Sequence, residues 1–280
     1  MSFILIKGTF HIVGYQPDGD SIRFHADNPG VWQWFTKPPV ELNARQHAQL
    51  RIEGIDTLET HYENQHQPLK FAKAATKFLL ANLGIKNVVL TPSGLGVKSA
   101  KDGTRGHILS AKAEGRGRPV SFVFAGDSSE ADGTEITLEP QRLDQSLNYQ
   151  LARAGLAYPT YYSSLAPELR DKLTTAVVAA RAAGAGLWPK DKTLTGANLS
   201  SLWWITSREI ILPKLFRRTV VHLSAGGIIA GLPAFLAAHS DPVKDLTTGK
   251  WTRLDKLIAI DGQRAHLTVA PENLAFREKA

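Results

Sequence analysis

Apolar and polar residues alternate along Phe3–Tyr15 (FILIKGTFHIVGY) and again along Ser21–Ala26 (SIRFHA), with Pro17-Asp18-Gly19 between them. Proline presets φ and glycine tolerates positive φ, so this stretch predicts a β-hairpin closed by a turn. LRIEGID (Leu50–Asp56) alternates in the same way and predicts another short strand. The period changes at Pro68, where Phe71, Ala75, Phe78, Leu79 and Leu83 fall on one helical face, with proline at a permitted first position and Gly84 as the stop. VVLTPSG, HILSAKA and VSFVFAG return to strand character, and Asp127–Glu139 reads as a polar, solvated loop. Two helices follow. One carries Leu143, Leu147, Leu151 and Ala154 on one side, with Asp144 as its N-cap and Gly155 as its stop, and the other runs from Pro167 to Gly184 with Leu169, Leu173, Val177 and Ala180 inward. Strands, helix, strands, helix, helix is an α+β order, which suggests a closed or nearly closed barrel with helices packed on it.

Two stretches stand outside this order. Asp27–Gln49 contains prolines, a glycine, Trp32 and Trp34 without a clean period, and reads as an inserted loop. Its tryptophans are core residues or, if exposed, surfaces on which unpaired bases stack. After Trp188 and Pro189 the polar run KDKTLTGANLS marks a boundary, dividing the chain into residues 1–190 and a mixed α/β extension, 191–280. Within the extension, Leu202–Arg218 ends basic, and the chain from Val243 to Pro271 has hairpin-like Thr-Gly and Asp-Gly turns. The extension either lengthens a binding groove, mediates self-association or holds a protein partner. Val220–Ala238 approaches the length of a membrane span, but His222, Ser224, three glycines and Pro233 favour a buried or peripheral element.

Composition narrows the chemistry. Lys and Arg number 33 against 26 Asp and Glu, a formal +7 that favours acidic partners such as nucleic acid. There is no cysteine, which excludes disulfides, thiolate metal sites and cysteine nucleophiles. The first residues lack a basic leader and a small-residue cleavage site, and on that basis a cytoplasmic location is expected. Histidines His61, His66 and His107 match no standard zinc spacing.

Five short motifs carry the functional signal: PDGDSIRF (Pro17–Phe24), RIEGIDTLET (Arg51–Thr60), DGTRGHIL (Asp102–Leu109), LARAGLAYPTYY (Leu151–Tyr162) and AGLW (Ala185–Trp188). In this order, with the helices between them, the set resembles the staphylococcal nuclease family over about two thirds of the chain. The resemblance implies a five-stranded, OB-fold-like barrel with about three helices, calcium as the cofactor, and DNA, RNA or both as substrate. It also implies that Asp20, Asp56 and the backbone carbonyl of Thr57 hold the metal, that Glu59 orients or deprotonates the attacking water, and that Arg51 and Arg105 bind the phosphate. Tyr161 matches a tyrosine that holds the nucleotide, with Tyr158 and Tyr162 as near alternatives.

Those residue types suit phosphodiester hydrolysis. Carboxylates hold a hard cation, and guanidinium forks neutralise the charge that develops on the phosphorus oxygens. Basic residues with glycine continue through Gly103–Pro119, where Arg116 and Arg118 are further candidates for phosphate contact. Singly, Asp20 is also an ordinary turn residue and each arginine an ordinary surface one. Leu58 stands where the family usually has proline, which should loosen the loop between Thr57 and Glu59. A catalytically inactive nucleic-acid-binding or interaction module on the same fold is the alternative.

Overall fold

The computed structural model describes residues 2–278. Its largest sheet is built on two ten-residue strands, β1 (Ser2–His11) and β8 (Thr104–Ala113), paired antiparallel from Ile4↔Ser110 to Phe10↔Thr104. β2 (Arg23–Ala26) and then β3 (Ala48–Gln49) follow on one side, and β9 (Pro119–Ala125) and then β4 (Arg51–Ile52) on the other. β3 and β4 are consecutive pieces of one segment. Residues 48–52 therefore pair with β2 at one end and with β9 at the other, and this draws the sheet into a nearly closed barrel. With β10 (Glu135–Thr137), which sits on β1, the sheet has seven strands where five were expected, several of them only two or three residues long. A separate hairpin joins β6 (Lys86–Leu90) to β7 (Val97–Lys101).

β5 (Ile55–Thr57) leaves the barrel and pairs with β11 (Ala157–Pro159), placing Tyr158 opposite Asp56. The reversal between β4 and β5 is made by Gly54 at φ +77, where an added Cβ would lie 2.6 Å from a Leu173 methyl. Glycine alone satisfies both the positive φ and that close approach. Against the barrel pack α1 (Leu69–Asn82), α2 (Pro140–Leu143), α3 (Leu147–Arg153) and α4 (Pro167–Ala182). The hydroxyl of Ser146, not Asp144, caps α3, accepting from the Tyr149 amide. Buried Asn148 then fixes α3 to β9 and to the end of β4: its Nδ2 donates to the carbonyls of Glu53 (2.8 Å) and Ser121 (3.1 Å), and its Oδ1 accepts from the Val123 amide.

Residues 191–278 supply part of the same hydrophobic core, with Ile211, Leu215, Phe216, Val220 and Leu274 in one cluster with the barrel's apolar residues. After the two-residue β12 (Tyr161–Tyr162) and α4, the extension comprises β13 (Ala197–Asn198), α5 (Leu202–Ser207), α6 (Pro213–Ser224), α7 (Leu232–His239) and β14 (Pro242–Asp245). It ends with β15 (Trp251–Arg253), β16 (Ile258–Asp261), β17 (Arg264–Leu267) and β18 (Leu274–Phe276). β18 lies between β14 and β12, running parallel to β12 with Tyr161↔Ala275 and Tyr162↔Phe276. Val220–Ala238 is broken: the helices on either side of residues 225–228 bend by 117°, and among the described residues no single helix is long and apolar enough to cross a membrane. In the 27–49 insertion Trp32 is buried against Phe35, whereas Trp34 is half exposed.

Candidate active site

The turn that was expected to present Asp20 does so. Gly19 packs so closely on α1 and β5 that a Cβ there would meet Ala75 at 2.6 Å and the Thr57 hydroxyl at 2.7 Å. The backbone oxygen of Asp20 accepts from the Ile52 amide (2.9 Å), which docks the turn beside β4, and its carboxylate accepts from the Thr57 amide (3.3 Å). Asp20, Asp56 at the centre of β5 and Glu59 just beyond it therefore line one cleft of about 430 Å³, with Arg51, Arg118 and Arg116 also on its wall.

The carboxylates strain against one another. Asp20 is held well above the usual carboxylate range, first by burial and then by the charges of Asp56, Asp18 and Glu59, and it shares a hydrogen bond with Asp56. Burial is also the largest influence on Asp56, but the charge and hydrogen bonds of Arg217, with Arg51 behind them, outweigh it and hold Asp56 low. Glu59 is raised by burial and by Asp56, against the opposing pull of Arg217. Asp18, which also lines the cleft, is raised to about 7 by burial and by Glu59. Crowded acids of this kind are relieved by taking up a proton or by a nearby cation.

That cation is a side chain. Arg217, on α6, places Nη2 2.5 Å and Nη1 3.1 Å from the two oxygens of Asp56, and Nη1 also pairs with Glu59. A hard divalent ion suits the oxygen donors Asp20 and Asp56, and the Thr57 hydroxyl beside them is buried without a partner. Among the described residues, however, no group of three or more acidic or histidine side chains is arranged to hold a metal ion.

A family model described as staphylococcal nuclease homologue matches residues 49–190, half of the chain. The chain belongs to that family. No curated protein matches it. The matched stretch carries Arg51, Asp56, Thr57 and Glu59, while Asp20 and Arg217 lie outside it on either side.

Two expected positions are corrected within this nuclease-family site. Arg105 is not on the cleft wall. It sits at the start of β8, 43% exposed, bound to Asp27 (2.7 Å) and Asp127 (3.2 Å). The lining of the cleft comes instead from the residues just past the other end of that strand. There Glu114 accepts from Arg118 Nε (2.9 Å) and directs this second guanidinium to the cleft, with the exposed Arg116 beside it. Tyr161 is also displaced: it is fully buried, with its hydroxyl 2.8 Å from that of Thr174. Neighbouring residues of a strand point to opposite faces, so Tyr162 meets the cleft, its ring 5.0 Å from the Arg51 guanidinium carbon. Tyr158 is buried and donates to Asp191 (2.6 Å).

Leu58, expected to loosen its loop, is buried in the core and anchors it. The loop has a second tether, because Gln67 Oε1 accepts from the Glu59 amide (3.2 Å) while Gln67 Nε2 donates to the Ile211 carbonyl of the extension (2.8 Å). Sequence reasoning missed Asp18, Gln67, Lys214 and Arg217. A signal for the last two was present in LPKLFRR. Proline at a helix start is followed by Lys214, Arg217 and Arg218 at i, i+3 and i+4, a cationic stripe whose destination no local pattern reveals.

Proposed function

We propose that the chain is a calcium-dependent nuclease that hydrolyses phosphodiester bonds of DNA, RNA or both. The observation that supports this best is the convergence of Asp20, Asp56 and Glu59 with Arg51 and Arg118 on one cleft. Asp20, Asp56 and the Thr57 carbonyl would hold the calcium, which when bound supplies a clamp for the phosphate and its attacking water.

The chain's own residues do the rest. Glu59 accepts the proton of the water, and its raised pKa brings the carboxylate closer to the range in which a general base works at neutral pH. Arg51 and Arg118 neutralise the charge gained by the phosphorus oxygens. Each is preset, Arg51 by the Tyr162 ring and Arg118 by Glu114, so little reorganisation is needed as that charge develops. Tyr162 offers the flank of the cleft for a sugar or base.

The Arg217 clamp on Asp56 and Glu59 favours a second reading, a module that binds nucleic acid without cutting it. Cleavage of single- and double-stranded DNA and RNA, measured with calcium, magnesium or chelator, tests the choice. Calcium-dependent cutting that is lost in Glu59→Gln supports the nuclease. A folded protein that retards nucleic acid in a gel but cuts none of the four substrates establishes the binding module.

A further inference from the structure

Two of the three acids in the proposed machinery are bound to a side chain from outside the family-matched stretch. Arg217 takes both oxygens of Asp56, and one of its nitrogens also takes Glu59. The contact is built in, since α6 is anchored on each side of it. Leu215, Phe216 and Val220 are buried in the core, Arg218 pairs through two bonds of 2.6 Å with Asp241, and the preceding Ile211 carbonyl is held by Gln67. The same Gln67 accepts from the Glu59 amide, so the position of α6 and the position of Glu59 are mechanically linked.

A guanidinium and a divalent cation cannot both take Asp56 at close range without strong repulsion in this low-dielectric cleft. We propose that Arg217 is an internal competitor for the cation: the extension keeps the site latent, and calcium takes Asp56 only by displacing the guanidinium. This rests on the nuclease reading of the cleft and adds to it a threshold set by residues 213–218. Arg217 lines the cleft together with Lys214 and Arg51, so a substrate phosphate entering it would offer the displaced guanidinium another partner. Substrate and calcium would then cooperate, because each draws Arg217 away from the carboxylates or occupies what it leaves.

The test is cation affinity in the full chain, by calorimetry with Ca²⁺ and by luminescence with Tb³⁺, for wild type, Arg217→Gln, Arg217→Lys and Asp56→Asn. Removing the competitor should tighten binding by roughly tenfold or more in Arg217→Gln. Arg217→Lys, which keeps a charge on Asp56 but loses the two-pronged grip, should fall between it and wild type. If Arg217→Gln does not fold, Arg217→Lys decides. Affinity in the folded Arg217 variants equal to that of wild type, with Asp56→Asn weakened, overturns the competition and leaves the calcium site standing. Absence of Ca²⁺ and Tb³⁺ binding in every variant overturns both.

Discussion

Arg105 and Arg118 stand at opposite ends of the β8–β9 hairpin, and Arg118 alone of the two lines the cleft that holds Asp20, Asp56 and Glu59. Arg105 is engaged with Asp27 and Asp127 on the exposed side of the sheet. Arg118→Ala should therefore lower kcat by roughly 10²–10³-fold, the usual loss when one preset donor to a developing oxyanion is removed. Arg105→Ala should stay within about twofold of wild type, since an exposed ion pair contributes little. Steady-state cleavage by the two variants decides the assignment, and a large loss in Arg105→Ala with a small one in Arg118→Ala would reverse it.

In the proposed reaction Glu59 takes the proton of the water, and its backbone is held by Gln67. Glu59→Gln preserves shape and hydrogen bonding at the amide while removing the base, so kcat should fall by roughly 10²–10⁴-fold with KM nearly unchanged. Gln67→Ala leaves the carboxylate in place but removes the side chain that ties the Glu59 amide to the Ile211 carbonyl. A smaller kcat loss, accompanied by faster amide exchange over residues 57–61, is expected. An equal loss with unchanged exchange would mean that Gln67 acts by some route other than holding the loop.

What the sequence disclosed was local. The turn at Pro17–Asp20 and the helices from Pro68 and Pro167 follow from periods and stop signals that neighbouring residues set, whereas the single strand expected over Leu50–Asp56 is broken at Gly54 into β4 and β5; together they deliver Asp20, Asp56 and Arg51 to one place. The misplacements came where a choice depended on distant pairing. Gly-Arg turns occur at both ends of β8, in GTRG and in GRGR, and only the closure of the barrel by residues 48–52 determines which end faces Asp56. Tyr161 and Tyr162 are adjacent, and the one-residue alternation of β12 against β18 sends the first inward and the second to the cleft. Arg217 is separated from Asp56 by 161 positions, and no periodicity spans that distance.

His47 gives the fold a pH dependence independent of the cleft carboxylates. Asn43 Nδ2 donates to the Tyr15 hydroxyl (2.8 Å), which in turn lies 3.1 Å from His47 Nδ1. Burial first, then His11, His25 and Arg45, against a weaker opposing effect of Asp102, lower His47 from 6.5 to about 4. Its folded pKa is thus below its unfolded one, so its contribution is present above pH 6.5 and is lost as pH falls toward 4. With solvent screening at the half-buried His11 and His25, the loss should be about 1–2 kcal/mol. Urea denaturation across this range should show a shallower slope in His47→Gln than in wild type; identical slopes would remove His47 from the account.

The extension should prove inseparable from the barrel. β18 buries Leu274, Ala275 and Phe276 and supplies the strand next to β12, whose Tyr162 braces Arg51. Truncating a buried phenylalanine costs about 3–5 kcal/mol, a large part of the roughly 5–15 kcal/mol by which domains are stable. Phe276→Ala should accordingly lower the melting temperature sharply and, by loosening Tyr162, raise KM for nucleic acid more than it lowers kcat. Deletion of residues 271–280 removes the whole strand and should leave a chain without a cooperative thermal transition. Circular dichroism melts of both variants test this, and a fragment 1–190 that melted like the full chain would show that the barrel closes its core without the extension.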